Sequence, residues 1–504
     1  MTIVKRFLFC TAASVVMLAG AHAADLPVKA GKIEYVKVCS LYGAGFYYIP
    51  GTDTCVRIGG AMNILTTFNG NPFDGPMWQG GPGGANSYNR NYFQTLERFY
   101  LNIDTRTQTE YGVLRTYANL LFDFIPGREN IAGGIIENDF LFLQFAGFTF
   151  GKAVSMFDPQ WAVSKPTISA GFFAGSNNVT GLPMLAYTAT FGNGLDATIS
   201  LEDAQPYRSA GVVDTSQQFL GPFGAAVTNF GTTSNTFLGN AQAGDHVPDV
   251  VANLRYDQAW GTLHFGAAAH EVHGTYYNPS DSSTGKPDAT WGYAVTGAFE
   301  LKNLPTGNGD SLKVLGAWAH GAAKYIFGGT IDRNGAGRFG KVGSSDQPGT
   351  ASSMAFGYVL DGVYAGPGSS IQLSDSWGIT AFYEHYWNPA WRTSLFATYD
   401  HISYGSSGDA VLLAAANAGR LSTGLTNATG SFAFGTFQAG TRTAWTPVNN
   451  LTLSAEFLYT RLDQNLNGTF TSTAAAVPGY PAGSKFLLKD QNLFNGAVSI
   501  LRSY

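Results

Sequence analysis

The fold class is decided by the stretch from Glu137 to Pro183, which has the sequence ENDFLFLQFAGFTFGKAVSMFDPQWAVSKPTISAGFFAGSNNVTGLP. In its first part Leu141 and Leu143 share one face of a strand, and after an Ala-Gly pair a second strand pattern runs from 149 to 157. This pattern predicts a tight hairpin. The second part, from Asp158 to Pro183, is rich in Pro, Gly, Ser and Asn, and it is too polar for a strand and too long for an ordinary turn. Such a segment needs an enclosed place to fold, and the rest of the chain indicates the lumen of a barrel.

Residues 1–23 have the features of a secretory signal peptide. Lys5 and Arg6 precede an apolar run from Phe7 to Gly20, and Ala21-His22-Ala23 forms a small-x-small cleavage site. No run of roughly 18 apolar residues follows that site, so the sequence predicts no transmembrane helix. An exported chain that crosses a membrane without such a helix must do so as a closed β-barrel.

The composition favours a β-rich protein with a large apolar surface. Charged residues make up 12% of the chain, against about 25% in a soluble protein, while Gly (63), Phe (36) and Tyr (25) are abundant. The formal net charge is −5, so we expect no nucleic-acid partner. After the first fifty residues the sequence has no segment with the composition of an interdomain linker. We therefore expect one barrel domain over residues 55–504.

Alternating polar and apolar segments recur along this barrel region. Short turns and long loops alternate between them, as in an up-and-down barrel of the outer membrane with short periplasmic turns. The count predicts an all-β, 16-stranded antiparallel barrel. If one hairpin were wrongly assigned or missed, the number of strands would be fourteen or eighteen. The predicted strands lie near 55–68, 98–106, 114–123, 141–145, 149–157, 185–191, 196–202, 250–258, 262–272, 291–301, 312–320, 371–386, 391–404, 431–445, 451–462 and 492–504.

The segment before the barrel, residues 24–54, is predicted to be an N-terminal periplasmic or plug-like segment with a disulfide. Cys10 leaves with the signal peptide, so Cys39 and Cys55 remain as a pair in an oxidising compartment. A redox or metal role for this pair is disfavoured, because the CxxC spacing and a nearby histidine are both missing.

Aromatic residues at the strand ends distinguish a membrane barrel from a soluble sandwich. Alternation alone fits both, but several segments have about 10 residues or more, the length that a tilted strand needs to cross a bilayer. A soluble domain of sixteen strands would also be unusually large. The candidates for the aromatic girdles are Tyr100, Tyr117, Trp260, Tyr386, Trp391, Trp445 and Tyr504.

Several segments resemble the general porins of alphaproteobacteria: ADLPVKA, EYVKVCSLYGAGFYYIPGTDTC, LNIDTRTQTEYGVLRTY, FLQFAGFTFGKA and WGITAFYEHYWNPAWRTSLFATYDHISYG. The resemblance covers both ends and most strands, and it is weakest in the long loops 203–247 and 327–370. It implies a homotrimeric, water-filled channel in the bacterial outer membrane, narrowed by an infolded third extracellular loop. Its expected partners are outer-membrane lipid and the small hydrophilic solutes and ions that diffuse through it.

By the pattern of that family, basic residues on the barrel wall face acidic residues on the infolded loop. The loop segment here has one acid, Asp158, and one base, Lys165, so it is less acidic than the pattern requires. Each wall charge could instead belong to a structural ion pair, for instance Arg98 with Asp123. The candidate residues of the constriction are Arg57, Arg98, Arg106, Arg115, Lys152 and Asp158.

We expect no catalytic, cofactor or metal site and no enzyme activity. His264 and His270 share a strand face near His273, but six residues along a strand span roughly 20 Å, so these three do not form a metal site together. GxSxG and HExxH motifs are absent from the sequence. Three alternatives to a general diffusion pore stay open: a substrate-specific channel, for which Trp161, Phe172 and Phe173 in the loop would be relevant, an adhesion or surface-display barrel, and a secreted soluble β-protein.

Overall fold

The fold is given by a computed structural model of the 504-residue chain. It describes residues 37–70, 91–125, 135–169, 174–176, 180–203, 210–217, 241–278, 280–328, 338–343, 352–421, 424–472 and 480–504. The predicted signal peptide lies outside the described residues.

Sixteen strands close into one antiparallel barrel, as predicted. The first strand pairs with the second on one side and with the last on the other, in register from Ala61↔Ser503 to Phe68↔Gly496. The strands are β1 (Cys55–Phe68), β2 (Phe93–Thr109), β3 (Gly112–Phe124), β4 (Ile135–Phe145), β5 (Phe148–Ala153), β6 (Leu182–Gly192), β7 (Leu195–Glu202), β8 (Asp249–Gln258), β9 (Gly261–Val272), β10 (Thr290–Lys302), β11 (Ser311–His320), β12 (Asp375–Asn388), β13 (Trp391–Ser403), β14 (Leu425–Val448), β15 (Leu451–Thr471) and β16 (Gln491–Ser503).

The two faces of each strand have different environments. In β1, Ile58, Met62 and Ile64 are exposed on the outer face, whereas Arg57 and Asn63 alternate with them and point into the barrel. This period-2 alternation of apolar outward and polar inward residues is what a membrane barrel with a wet lumen requires. It is the reverse of a soluble barrel, in which the apolar face would be packed inside.

Aromatic residues on the outer surface confirm part of the predicted girdles. Trp260, Trp391, Trp445 and Tyr504 are exposed, and Trp391 stacks on Trp445 with ring centroids 5.5 Å apart. Two other candidates differ from the prediction, because they lie on the phase that faces the lumen: Tyr100 and Tyr117 both line a cavity inside the barrel. Since only the outer phase meets lipid, they cannot belong to a girdle.

Several strand boundaries also differ from the prediction. β5 ends at Ala153 and not near residue 157, because the chain leaves the sheet there and the Ser155 hydroxyl and Met156 N–H donate to the carboxylate of Glu202. β14 and β15 have 24 and 21 residues, far longer than predicted. Their long ends form a platform on which the loops of the same side rest.

That platform carries a layer of smaller elements. Helix α1 (Gly405–Asn417) packs on β14, and a three-stranded sheet joins Gly211–Asp214, Leu360–Tyr364 and Gln372–Leu373. Further strands are Arg338–Val342, Ser352–Tyr358 and Lys485–Leu488. None of the helices in the described part of the chain is long and apolar enough to cross a bilayer.

One large apolar core lies inside the barrel and not on its surface. It joins the inner wall of the later strands, for example Phe382 and Leu458, to residues of the inward-folded loops, for example Phe157, Tyr325 and Leu412. All five side chains are almost completely buried. The lumen is therefore filled on this side, and the open space is confined to the rest of the cross-section.

The N-terminal segment is tied to the start of the barrel by the predicted disulfide between Cys39 and Cys55. A short strand, Tyr47–Tyr48, pairs with Cys55 and Val56. Both cysteines and Phe46 are buried in one small apolar cluster. The hydroxyls of Thr54 and Thr107 are hydrogen-bonded, so this segment lies at the end of the barrel that carries the short turn between β2 and β3.

Candidate functional site: the loop-narrowed lumen

The loop between β5 and β6, which the structure describes over residues 154–169, 174–176 and 180–181, folds into the barrel as predicted; we call it the third loop. Its first contacts are with the wall next to β5. The Asn253 side chain donates to the Met156 carbonyl over 2.6 Å, and the His264 Nε2–H donates to the Phe157 carbonyl over 2.9 Å. These bonds, with those from Ser155 and Met156 to Glu202, direct the chain away from the sheet at the end of β5.

The middle of the third loop is held by β11 and β12. A short 3₁₀ helix, Gln160–Val163, presents Trp161, whose ring lies edge-on to Phe382 at 6.2 Å. The Lys313 ammonium sits 5.9 Å from the centre of the same ring and donates to the Ser164 carbonyl over 3.3 Å. A cation over an indole face and an aromatic pair each stabilise such a contact by about 1 kcal/mol.

The far side of the third loop reaches the opposite wall. The carboxylate of Glu456 on β15 accepts hydrogen bonds from the backbone N–H groups of Ile168 and Ser169, the latter over 2.8 Å. Ile168 also packs against Leu65 and Leu96, which face inward from β1 and β2. The third loop therefore crosses the lumen from β5 to the seam where β15, β16, β1 and β2 meet.

Beside that crossing, three guanidinium groups surround one carboxylate on the wall. Asp104 of β2 lies 2.9 Å from Arg106, 3.1 Å from Arg115 and 3.8 Å from Arg57. The aspartate side chain is 2% exposed, whereas those of Arg57, Arg106 and Arg115 are 48%, 26% and 28% exposed. Among the described residues that form these ion pairs, this wall cluster thus has three positive charges against one negative charge at the lumen.

Aromatic rings fix the direction of these arginines. The N-terminal segment places the Phe46 ring 5.1 Å from the Arg57 guanidinium and 4.9 Å from that of Arg106. On the other side, the Arg115 guanidinium lies 5.3 Å from the ring of Tyr117. Planar guanidinium groups stack on such rings and lose little freedom when they also bind a carboxylate.

Two cavities flank the third loop. The larger has a volume of about 710 Å³ and is bounded by Arg57, Arg392 and Arg442 on the wall and by Thr167 and Ile168 on the loop. The smaller, about 550 Å³, lies on the other side of the loop and is lined by Arg115, Arg255, Asp196 and Asp158 among others.

Comparison with known proteins assigns the family. The family described as "Porin subfamily" matches residues 25–496. The chain belongs to this porin family. The porin Omp2b of Brucella suis and that of Brucella abortus are each 30% identical to it over 271 residues, which is 52% of this chain and 64% of the relative's length. The outer-membrane channel DcaP of Acinetobacter baumannii shares the fold at a TM-score of 0.53, with 13% identity, over 91% of this chain and 99% of that one.

The porin is thus a β-barrel of the bacterial outer membrane, as the sequence predicted. Its predicted constriction residues occupy different environments. Arg57, Arg106 and Arg115 come together in the wall cluster. Arg98 instead forms a bidentate pair with Asp123 at 2.7 and 2.9 Å, and both side chains are buried, which is the structural ion pair that the sequence left open.

The other two candidates expose little charge to the open lumen. Lys152 of this porin lies on the outer phase of β5, because it pairs with exposed Leu141 and alternates with exposed Phe148 and Phe150; its ammonium donates to the Asn138 carbonyl. Asp158 is in the third loop as predicted but only 3% exposed, and it accepts a bond from the Ser176 N–H over 2.9 Å.

Lys165 is the basic residue of the third loop. Burial lowers the pKa of its ammonium to about 8, although the nearby carboxylates of Asp158 and Asp400 act in the opposite direction. The third loop of this porin therefore contributes one acid, which is buried, and one base, whose pKa is lowered. Its exposed contribution to the lumen is largely backbone and neutral side chains.

Sequence reasoning missed a second group of arginines. Arg392 of β13 and Arg442 of β14 contact Glu384 of β12 at 3.0 and 3.5 Å, and both arginines line the larger cavity. Trp391 and Trp445 on the outer phase of the same strands place Arg392 and Arg442 on the inward phase. What the sequence does not contain is the strand register that places them across the cavity from Arg57.

Proposed function

We propose that the protein is a passive diffusion channel for small hydrophilic solutes and ions. The observation that carries the proposal is the pair of cavities beside the third loop, because they are lined by charged and polar side chains inside a closed barrel. A space lined in this way favours water and polar solutes over apolar ones. The apolar core on the other side of the lumen restricts passage to this region.

We infer that the channel prefers anions. Among the described residues that line the larger cavity, the charged ones are Arg57, Arg392 and Arg442 against Asp104. The neighbouring Glu384 compensates one arginine, and Arg106 and Arg115 add positive charge beside Asp104. Rings of like charge at a narrow place set the ion preference of a pore.

The first experiment is single-channel recording of the detergent-purified protein in a planar bilayer. We expect ohmic conductance steps. Under a salt gradient, the sign of the reversal potential should show selectivity for anions. A correctly folded, heat-modifiable barrel that gives no conductance would contradict the diffusion channel, and a cationic reversal potential would contradict the inferred preference alone.

A substrate-specific channel is the second candidate, and one observation favours it. Three arginines and three tyrosines, Tyr100, Tyr117 and Tyr504, line a cavity of about 710 Å³, a size and chemistry that suit a small organic anion. A specific channel would show current block that saturates with such a solute. A general pore would instead admit neutral sugars at rates that fall smoothly with size in liposome swelling.

We also propose that the chain assembles as a homotrimer. Support comes from its family and from polar residues on the outer face of the first strands, namely Glu97, Thr105 and Thr116, which are poorly suited to lipid. Light scattering of the detergent-solubilised protein, corrected for bound detergent, measures the mass directly. A protomer mass under conditions that keep the barrel folded would contradict the trimer.

A further inference from the structure

Three potential metal ligands meet at the extracellular end of β9. Glu271 lies near the end of this strand on its outer phase, His273 follows the strand directly, and His246 lies in the loop that leads into β8. One donor atom of each residue lies within 4.8 Å of the others. The rings of His246 and His273 are nearly parallel, with centroids 4.4 Å apart.

A backbone contact fixes the tautomer of His273. Its Nε2 is hydrogen-bonded to the carbonyl oxygen of Gly244, and because a carbonyl can only accept, Nε2 carries the proton. The other nitrogen, Nδ1, lies 3.7 Å from Oε2 of Glu271. A metal-binding histidine typically donates its second N–H to a backbone carbonyl in this way, which orients the ring and its lone pair.

The Glu271 carboxylate has one oxygen that a nearby positive charge would stabilise. Its Oε2 is buried and accepts no hydrogen bond within the part of the chain that the structure describes. A neutral imidazole would turn a lone pair towards a carboxylate oxygen, which is unfavourable unless a cation lies between them. Either a second proton on His273 or a metal ion supplies that charge.

We propose that His246, Glu271 and His273 bind one divalent transition-metal ion, for which Zn²⁺ is the best match. Two imidazole nitrogens and one carboxylate oxygen with a fourth position for water form a common Zn²⁺ ligand set, whereas Mg²⁺ and Ca²⁺ prefer oxygen ligands alone. Tetrahedral bonds of about 2.0–2.1 Å place ligand atoms roughly 3.3 Å apart, so the donors, which lie within 4.8 Å of one another, need to approach by up to about 1.5 Å. His246 is exposed and can make that movement.

The ion would join two loops that are already neighbours. The Thr275 N–H donates to the Ala241 carbonyl over 2.8 Å, and Gln242 and Gly274 form an isolated bridge. A metal held by His246 from one loop and by Glu271 and His273 from the other would fasten the loop before β8 to the end of β9. The site therefore orders the extracellular surface and is independent of the lumen and of the diffusion function.

This set differs from the three histidines that the sequence analysis rejected. His264 faces the lumen and bonds the third loop, and His270 faces Asp249 inside the barrel at 2.6 Å. Only His273 belongs to both groups. His246 lies 27 positions away along the chain, on a loop whose course the sequence does not reveal.

Calorimetric titration of the untagged, chelator-treated protein in detergent with ZnCl₂ tests the proposal. The expected result is one saturable site per protomer, and His246→Gln and His273→Gln should each weaken binding by about tenfold or more. His320→Gln is the matched control, because His320 pairs with Asp375 at 2.9 Å on the same outer phase but lies outside the three-ligand cluster. Binding by this variant should equal that of the wild type.

A second measurement uses the wild type alone, in case a variant fails to fold. Zn²⁺ should protect His246, which is exposed, from modification by diethyl pyrocarbonate, as read by mass spectrometry, while Ca²⁺ gives no protection. Absence of saturable binding would overturn the proposal and assign the charge to a proton on His273. So would binding that survives in the His246→Gln, His273→Gln double variant or is lost equally in His320→Gln.

Discussion

Arg106 and Arg115 donate to the same carboxylate, that of Asp104, yet each keeps more than a quarter of its side-chain surface open to the lumen. An ion pair of this kind holds its charges in place without cancelling the field that they produce, because the arginines outnumber the aspartate. Their sign should therefore dominate the ion preference of the pore.

Replacing both residues, Arg106→Glu with Arg115→Glu, should move the reversal potential under a salt gradient towards cations. The Gln pair should shift it in the same direction by a smaller amount and serves if the Glu pair fails to fold. Lys152→Glu is the control, since it makes the same change of charge per residue at a position on the outer phase of β5. An unchanged reversal potential in both arginine double variants would contradict a role of Arg106 and Arg115 in the ion preference of the pore.

At the scale of elements, the third loop keeps its position through contacts near its start, middle and far end. The hydrogen bonds of the far contact depend on a single carboxylate, because the N–H groups of Ile168 and Ser169 both donate to Glu456. A carboxylate that accepts two backbone N–H groups cannot be replaced by a carboxamide without loss, since the amide nitrogen has no lone pair to offer.

Glu456→Gln should therefore loosen the loop on the side of β15. We expect a larger and noisier single-channel conductance, with the barrel still folded as judged by heat-modifiable migration. Glu110→Gln, in the short turn between β2 and β3, removes the same charge far from the loop and should leave conductance unchanged. Identical conductance in the Glu456 variant and the wild type would show that the other anchors suffice.

The disulfide acts on the pore through the N-terminal segment. It holds Phe46 against Arg57 and Arg106, and Gly45 of the same segment lines the larger cavity. Closing a loop of this size stabilises the folded state by about 3 kcal/mol on the chain-entropy model.

Cys39→Ser with Cys55→Ser should lower the thermal unfolding temperature and enlarge the conductance, because the segment can leave the mouth of the pore. Reduction of the wild type with dithiothreitol should reproduce both effects. Reduction should have no effect on the variant; a further change there would mean that the reductant acts elsewhere.

At the scale of the molecule, closure of the barrel depends on close backbone approach at the seam. A Cβ atom on Gly60 would overlap the carbonyl oxygen of Tyr100 on β2, and the Gly60 N–H bonds the carbonyl of Tyr504 next to β16. Gly60→Ala should reduce the fraction of heat-modifiable protein. In Gly316→Ala of β11, where the nearest atom lies 3.9 Å away, that fraction should stay at the wild-type value.

The barrel was predictable from the sequence because polar and apolar residues alternate within each strand, as Arg57 and Ile58 do in β1. The inward third loop was predictable from length and composition. Contacts that depend on the register of neighbouring strands could not be predicted. An example is the contact of Arg392 and Arg442 with Glu384, which joins three strands. The layer of helix α1 and short strands was missed as well, because Gly-rich segments that pack on other loops lack a periodic pattern of their own.

A sheet rolled into a cylinder is stiff along its strands but can be flattened across its axis, because only hydrogen bonds between neighbours resist a change of cross-section. The third loop is fastened to Glu202 on one side, to Lys313 further round and to Glu456 on the opposite side. It therefore works as a diagonal brace. The bore of this channel should keep its shape when the surrounding bilayer is thinned or stretched, so its conductance should vary little with the acyl-chain length of the lipid.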